Sequence, residues 1–103
     1  EKSAAAFKEW TGHSPKCYFG DEPWHDILRD FPDLDVMAVA TPDHLHTQPI
    51  LAALAKGVHV LTEKPMCLTT HEADQIIEAA RAQNRIVAVD MHKRYDPDHL
   101  RIR

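Results

Sequence analysis

The sequence predicts an α/β fold built on a parallel sheet, and three observations carry that expectation. Short apolar runs of strand length alternate with helical patterns. Each helix is long enough to cross from the end of one strand to the start of the next. The segments after the apolar runs are short, polar loops.

The elements follow in order. Residues 1–11 have a helical pattern, with Ala5, Phe7 and Trp10 as expected apolar anchors and Gly12 as the stop. Cys17-Tyr18-Phe19 reads as a short strand ending at Gly20. Asp21 is the expected cap of a helix with Pro23 in its first turn and Trp24, Ile27 and Leu28 along it. Val36-Met37-Ala38-Val39-Ala40 is a continuous apolar run, as in a parallel strand buried on both faces. After the polar loop 41–46, a helix over 47–56 sets Ile50, Leu51 and Leu54 on one face and stops at Gly57. Residues 58–61 form the second strand of this core. Thr69 and Glu72 have capping-box spacing, opening a helix with Ala73, Ile76, Ile77 and Ala80 in helical register. Residues 86–89 are the third strand, and Asp96-Pro97 caps a last helix.

The β-α-β-α-β order with right-handed crossovers is part of a doubly wound, Rossmann-type sheet. A chain of 103 residues has room for one small domain or part of a larger one. Its opening on Glu1 leads us to expect a partial domain at 1–103 with no second domain in it. Apolar residues make up 44% and charged residues 27%, which argues against a disordered or fibrous chain. The net charge of -4, with no stripe of Lys or Arg, argues against nucleic acid or an anionic membrane as partner. No apolar stretch reaches the roughly 18 residues of a membrane helix, and residues 1–12 lack a signal peptide's apolar core. Cys17 and Cys67 stand in no disulfide spacing, and two free thiols suit a reducing, cytoplasmic setting.

Ligands of an open parallel sheet bind beyond the carboxyl ends of its strands. That rule selects three segments: 41–46, 62–66 and 90–95. Lys64, fixed between Glu63 and Pro65 after a strand, is the strongest functional candidate, although a solvated surface lysine is the commoner case. Glu63 suits either a ligand contact or a pairing with its neighbour. His44 and His46 are too few for a zinc site, so no metal is expected; His46 can instead hydrogen-bond the loop backbone. The planar fork of Arg94 suits a phosphate or amide in the crevice. Asp35, Lys56 and Arg85, at the other ends of the strands, read as ordinary solvated charges.

Together the Thr41-Pro42…His46 loop, the run Ala53-Leu54-Ala55-Lys56-Gly57-Val58-His59-Val60-Leu61, Glu63-Lys64-Pro65 and Arg94-Tyr95-Asp96-Pro97 resemble the glucose-fructose oxidoreductase / inositol dehydrogenase family. The likeness covers about residues 5–97. It implies an NAD(P)-dependent oxidoreductase acting on a sugar, polyol or related hydroxy compound, homo-oligomeric when complete. It also implies that Thr41, Pro42 and His46 lie along NAD or NADP, with Glu63, Lys64, Pro65 and Arg94 at the nicotinamide end. Lys64 would be the catalytic group, and Lys64 and His92 would face the substrate. Asp43 stands where that family usually has Asn, and His92-Lys93 where it has Asn-Arg. The 103 residues contain no Gly-x-Gly-x-x-Gly. The residues alone leave an alternative open: a non-catalytic α/β module that binds nucleotide or a partner chain.

Overall fold

A computed structural model describes residues 2–102. Helix α1 is Lys2–Thr11 and α2 is Pro23–Asp30. Strand β1 is Val36–Val39, followed by a 3-10 turn at Asp43–Leu45 and by α3, Thr47–Ala55. Strand β2 is His59–Glu63, α4 is Thr70–Ala82 and β3 is Val87–Asp90. A second 3-10 turn at His92–Tyr95 leads to α5, Pro97–Arg101.

The three strands form one parallel sheet in the order β1-β2-β3. Val39 lies opposite Thr62, and Glu63 opposite Asp90, so all three strands end along one edge. Local chemistry explains where the crossover helices stop. Gly57 ends α3 at φ 71°, its amide donating to Leu54 and the Val58 amide to Ala53. Asn84 does the same for α4 at φ 50°, followed by the Arg85 amide donating to Ala80. In α3, Pro49 occupies the first turn, where a missing N–H has no helical partner to lose.

The core is formed by Met37, Val39, Val58 and Val60 from the sheet side, packed on Ile50, Ala53 and Leu54 of α3 and Ile76 of α4. Trp24 and Leu28 of α2 close it. Ile50, Ala53 and Leu54 are fully buried. The capping box at Thr69 and Glu72 is formed in both directions, and Asp96 caps α5 through the Asp98 amide at 3.0 Å.

Four expectations need correction. The Val36 strand is not buried on both faces. Right-handed crossovers between successive strands of one order place their helices on the same side. Val36 and Leu61, on the other side, therefore stay 52% and 45% exposed among the described residues. Cys17-Tyr18-Phe19 is no strand, because no described strand neighbours it; Tyr18 instead donates its hydroxyl to Asp30 at 2.9 Å. The α1 anchors do not anchor: none of its described residues is buried, and Trp10 is 92% exposed. Finally, Glu22 rather than Asp21 holds the cap position of α2, and no side chain caps it.

Candidate functional site at the carboxyl edge of the sheet

The carboxyl edge gathers three loops. After β1, the chain turns at once: the Leu45 amide donates to Pro42 at 2.8 Å, and the Thr41 hydroxyl to the Leu45 carbonyl at 3.2 Å. This 3-10 turn feeds directly into α3, whose cap position is His46. The His46 ring is fully buried and does not cap its own helix. Its Nε2 lies 2.8 Å from the Thr41 carbonyl and its Nδ1 2.7 Å from the Pro65 carbonyl. The first two loops are thus joined through one side chain.

After β2, Glu63 is half-buried in register with Asp90, while Lys64 and Pro65 are exposed. The Lys64-Pro65 peptide is cis. After β3, the turn at His92–Tyr95 brings its side chains toward Lys64. Lys64, Met91, His92, Lys93, Arg94, His99 and Leu100 line an open cleft of ≈ 420 Å³. Lys93 is engaged within its own loop, donating to Asp96 at 2.9 Å. That contact, followed by the Asp98 amide, holds the Asp96 carboxyl below its usual range. Among the described residues no carboxylate pairs with Lys64 or Arg94. Both cations are exposed.

Of the sequence candidates, Lys64, His92 and Arg94 meet at this cleft. Thr41, Pro42 and His46 stand on the adjoining loop, linked to Pro65 by the His46 ring. His99, which no sequence motif singles out, also lines the cleft: the Asp96-Pro97 cap starts α5 so that residue 99 falls in its first turn. Arg85 is not an ordinary solvated charge: its guanidinium donates to the Gly57 and Asn84 carbonyls and ties two helix ends together. His59 likewise has a structural task, its Nδ1 accepting from the Ile86 amide at 3.0 Å. Among the described residues no group of three or more His, Cys, Asp or Glu side chains could hold a metal ion, and no helix is long and apolar enough to cross a membrane.

The profile of an oxidoreductase family with an NAD-binding Rossmann fold, that of glucose-fructose oxidoreductase and inositol dehydrogenase, matches residues 1–91. The chain belongs to this family. Inositol 2-dehydrogenase of Paracoccus denitrificans is 34% identical over 92 residues, covering 88% of this chain and 27% of that protein. The solved inositol dehydrogenase homologue of Azotobacter vinelandii, complexed with NADH and myo-inositol, superposes with a TM-score of 0.71 at 33% identity. That alignment covers 84% of this chain and 24% of the other. Biliverdin reductase from Synechocystis, in complex with biliverdin and NADP+, superposes with a TM-score of 0.69 at 29% identity, over 86% of this chain and 26% of that one. The chain spans about a quarter of the length of these relatives. The described residues hold a three-stranded parallel sheet of this NAD-binding oxidoreductase family, with its carboxyl-edge loops.

Proposed function

We propose that the protein carrying this chain is an NAD(P)-dependent oxidoreductase that transfers a hydride between nicotinamide and a hydroxyl carbon of a sugar or polyol, with Lys64 as its catalytic group. The observation that carries this is a carboxyl edge where Lys64 and Arg94, without a carboxylate partner among the described residues, open onto one cleft. The residues fit the cofactor. The aliphatic side chains of Met91 and Leu100 give an apolar wall for a flat ring, and the Thr41-Pro42 backbone runs along the same edge. Glu63, Lys64, Pro65 and Arg94 would hold the nicotinamide end, and Thr41, Pro42 and the loop fixed by His46 the rest of the dinucleotide.

When bound, the nicotinamide supplies the hydride acceptor. The Lys64 ammonium, beside a secondary alcohol, stabilises the negative charge that grows on oxygen as the C–H bond breaks, or relays the hydroxyl proton. His92 lies on the same cleft and would contact the substrate from the other side. One relative was solved with myo-inositol and another with biliverdin, although both share this part of the domain. That contrast suits a sheet that fixes the cofactor while substrate choice is made elsewhere. The polyol reading is favoured by the inositol dehydrogenases among the relatives. We place the protein in the cytoplasm, in keeping with its two free thiols, and as a homo-oligomer when complete.

The test is nicotinamide reduction by the full-length protein, followed at 340 nm with NAD+ and NADP+ against myo-inositol, D-glucose and other polyols. Reduction with at least one polyol is the expected result. Tight dinucleotide binding with no turnover of any sugar or polyol, and no NADPH oxidation in the presence of biliverdin, would instead favour the non-catalytic module.

A further inference from the structure

His46 is fully buried, yet nothing in the proposed chemistry uses its ring. Its two nitrogens face two carbonyl oxygens from different loops, Thr41 after β1 at 2.8 Å and Pro65 after β2 at 2.7 Å. Carbonyl oxygens only accept. A neutral imidazole donates to one of them, and a protonated ring donates to both. The backbone of His46 is itself held, because its carbonyl accepts the Ile50 amide at 3.2 Å in the first turn of α3. The ring is therefore a strut from a packed helix to the residue that follows Lys64.

We propose that His46 is a positioning residue for Lys64: its imidazole fixes the Glu63-Lys64-Pro65 loop against the Thr41 loop and so sets where the Lys64 ammonium stands. Such a role replaces a direct contact of the ring with the dinucleotide, since both nitrogens are occupied inside the protein. The proposal rests on the reading of Lys64 as the catalytic group. A long, exposed lysine has many rotamers, and only the origin of its side chain can be fixed from within; the Pro65 carbonyl belongs to the next residue along the backbone. Displacement of a reacting group by about an ångström costs on the order of a hundredfold in rate.

The experiment is a double-mutant cycle in the full-length protein with His46→Gln, Lys64→Met and the pair. Single-turnover hydride transfer, and steady-state kcat and KM for NAD+, are measured with myo-inositol or with the polyol of the panel above that turns over fastest. His46→Gln is expected to lower kcat by about ten- to a hundredfold with little change in KM for NAD+. The pair should then be no slower than Lys64→Met alone. Losses that multiply, or a His46→Gln variant with wild-type kcat, overturn the positioning role. A Lys64→Met variant with normal transfer overturns the reading of Lys64 and this proposal with it, so the two failures are distinct. If His46→Gln does not fold, the wild-type protein still decides. A ring N–H of His46 that resists exchange into D2O supports the strut, and one that exchanges rapidly overturns it.

Discussion

Lys56 and Lys64 have the same side chain, the same exposure and nearly the same place in the sequence, yet they stand at opposite ends of β2. Lys56 ends α3 on the side where the strands begin. Lys64 follows the strand, on the edge where the three loops meet. Position alone separates them, so Lys64→Met in the full-length protein should lower hydride transfer about a hundredfold or more, the usual weight of one acid-base or electrostatic group. Lys56→Met should leave it unchanged, and stopped-flow traces on both variants would show it. Near-normal transfer in Lys64→Met would leave that residue a purely structural part of the loop. That Lys64, Arg94 and His92 stand at the carboxyl edge was legible in the sequence, because a strand followed by a polar loop tells which end of the sheet a residue occupies. The backbone contacts of His46 were partly legible, and those of Arg85 were not. Each depends on a carbonyl brought near by the fold, and carbonyls leave no trace in the identity of a residue.

The connection between α3 and α4 shows the same limit at the level of elements. The Thr69…Glu72 spacing announced a capping box, and both of its hydrogen bonds are formed. It did not announce that the Thr47 hydroxyl, at the start of α3, also donates to Glu72 at 3.1 Å. One carboxylate thus ties the openings of two helices. Thr69→Ala should cost about 1 kcal/mol of stability, read from urea unfolding, as loss of a helix cap generally does. The Thr69 hydroxyl first, then that of Thr47 and the Thr69 and Leu68 amides, hold the Glu72 carboxyl below its ordinary value of 4.5. The folded state therefore prefers the ionised form. The stability that Glu72 contributes is whole above that ordinary value and fades as pH falls through the lower, folded one. In Glu72→Gln this part of the acid-induced loss should be absent, so stability plotted against pH should be flatter on the acid side. The strands were legible to within two residues at either end, because apolar runs reveal which residues pair but not where the ladder stops. Cys17-Tyr18-Phe19 misled for a related reason: β-rich composition says nothing about whether a neighbouring strand is at hand to pair with.

Across the whole molecule, the same pattern sets what the 103-residue chain can do by itself. Its radius of gyration is 15.7 Å, against about 13 Å for a compact domain of this length. The excess reflects α1, which buries none of its described residues, and a sheet covered by helices on one face only. Val36, Leu61 and Ile86 remain about half exposed or more, at 52%, 45% and 66%, and among the described residues nothing pairs with the outer edge of β1. An open edge beside an apolar face favours association. The chain expressed alone should therefore sediment as more than a monomer, or unfold at low urea, in analytical ultracentrifugation and denaturation runs. Dinucleotide binding depends on a further element. In a doubly wound sheet the pyrophosphate is held by a glycine-rich turn whose backbone amides and following helix N-terminus face the phosphates. The three glycines of this chain, Gly12, Gly20 and Gly57, form no such turn; Gly57 lies between α3 and β2, at the opposite end of that strand from the cleft. The carboxyl-edge loops can still meet the nicotinamide end, but ring and ribose contacts without the phosphate anchor supply only part of the affinity. Calorimetry on the isolated chain should accordingly show NAD(H) binding weaker than about 100 μM, that is, less than about 5.5 kcal/mol. A micromolar constant would mean that Lys64, Arg94 and the Thr41 loop hold the dinucleotide without the glycine turn. The phosphates would then be carried by this edge of the sheet.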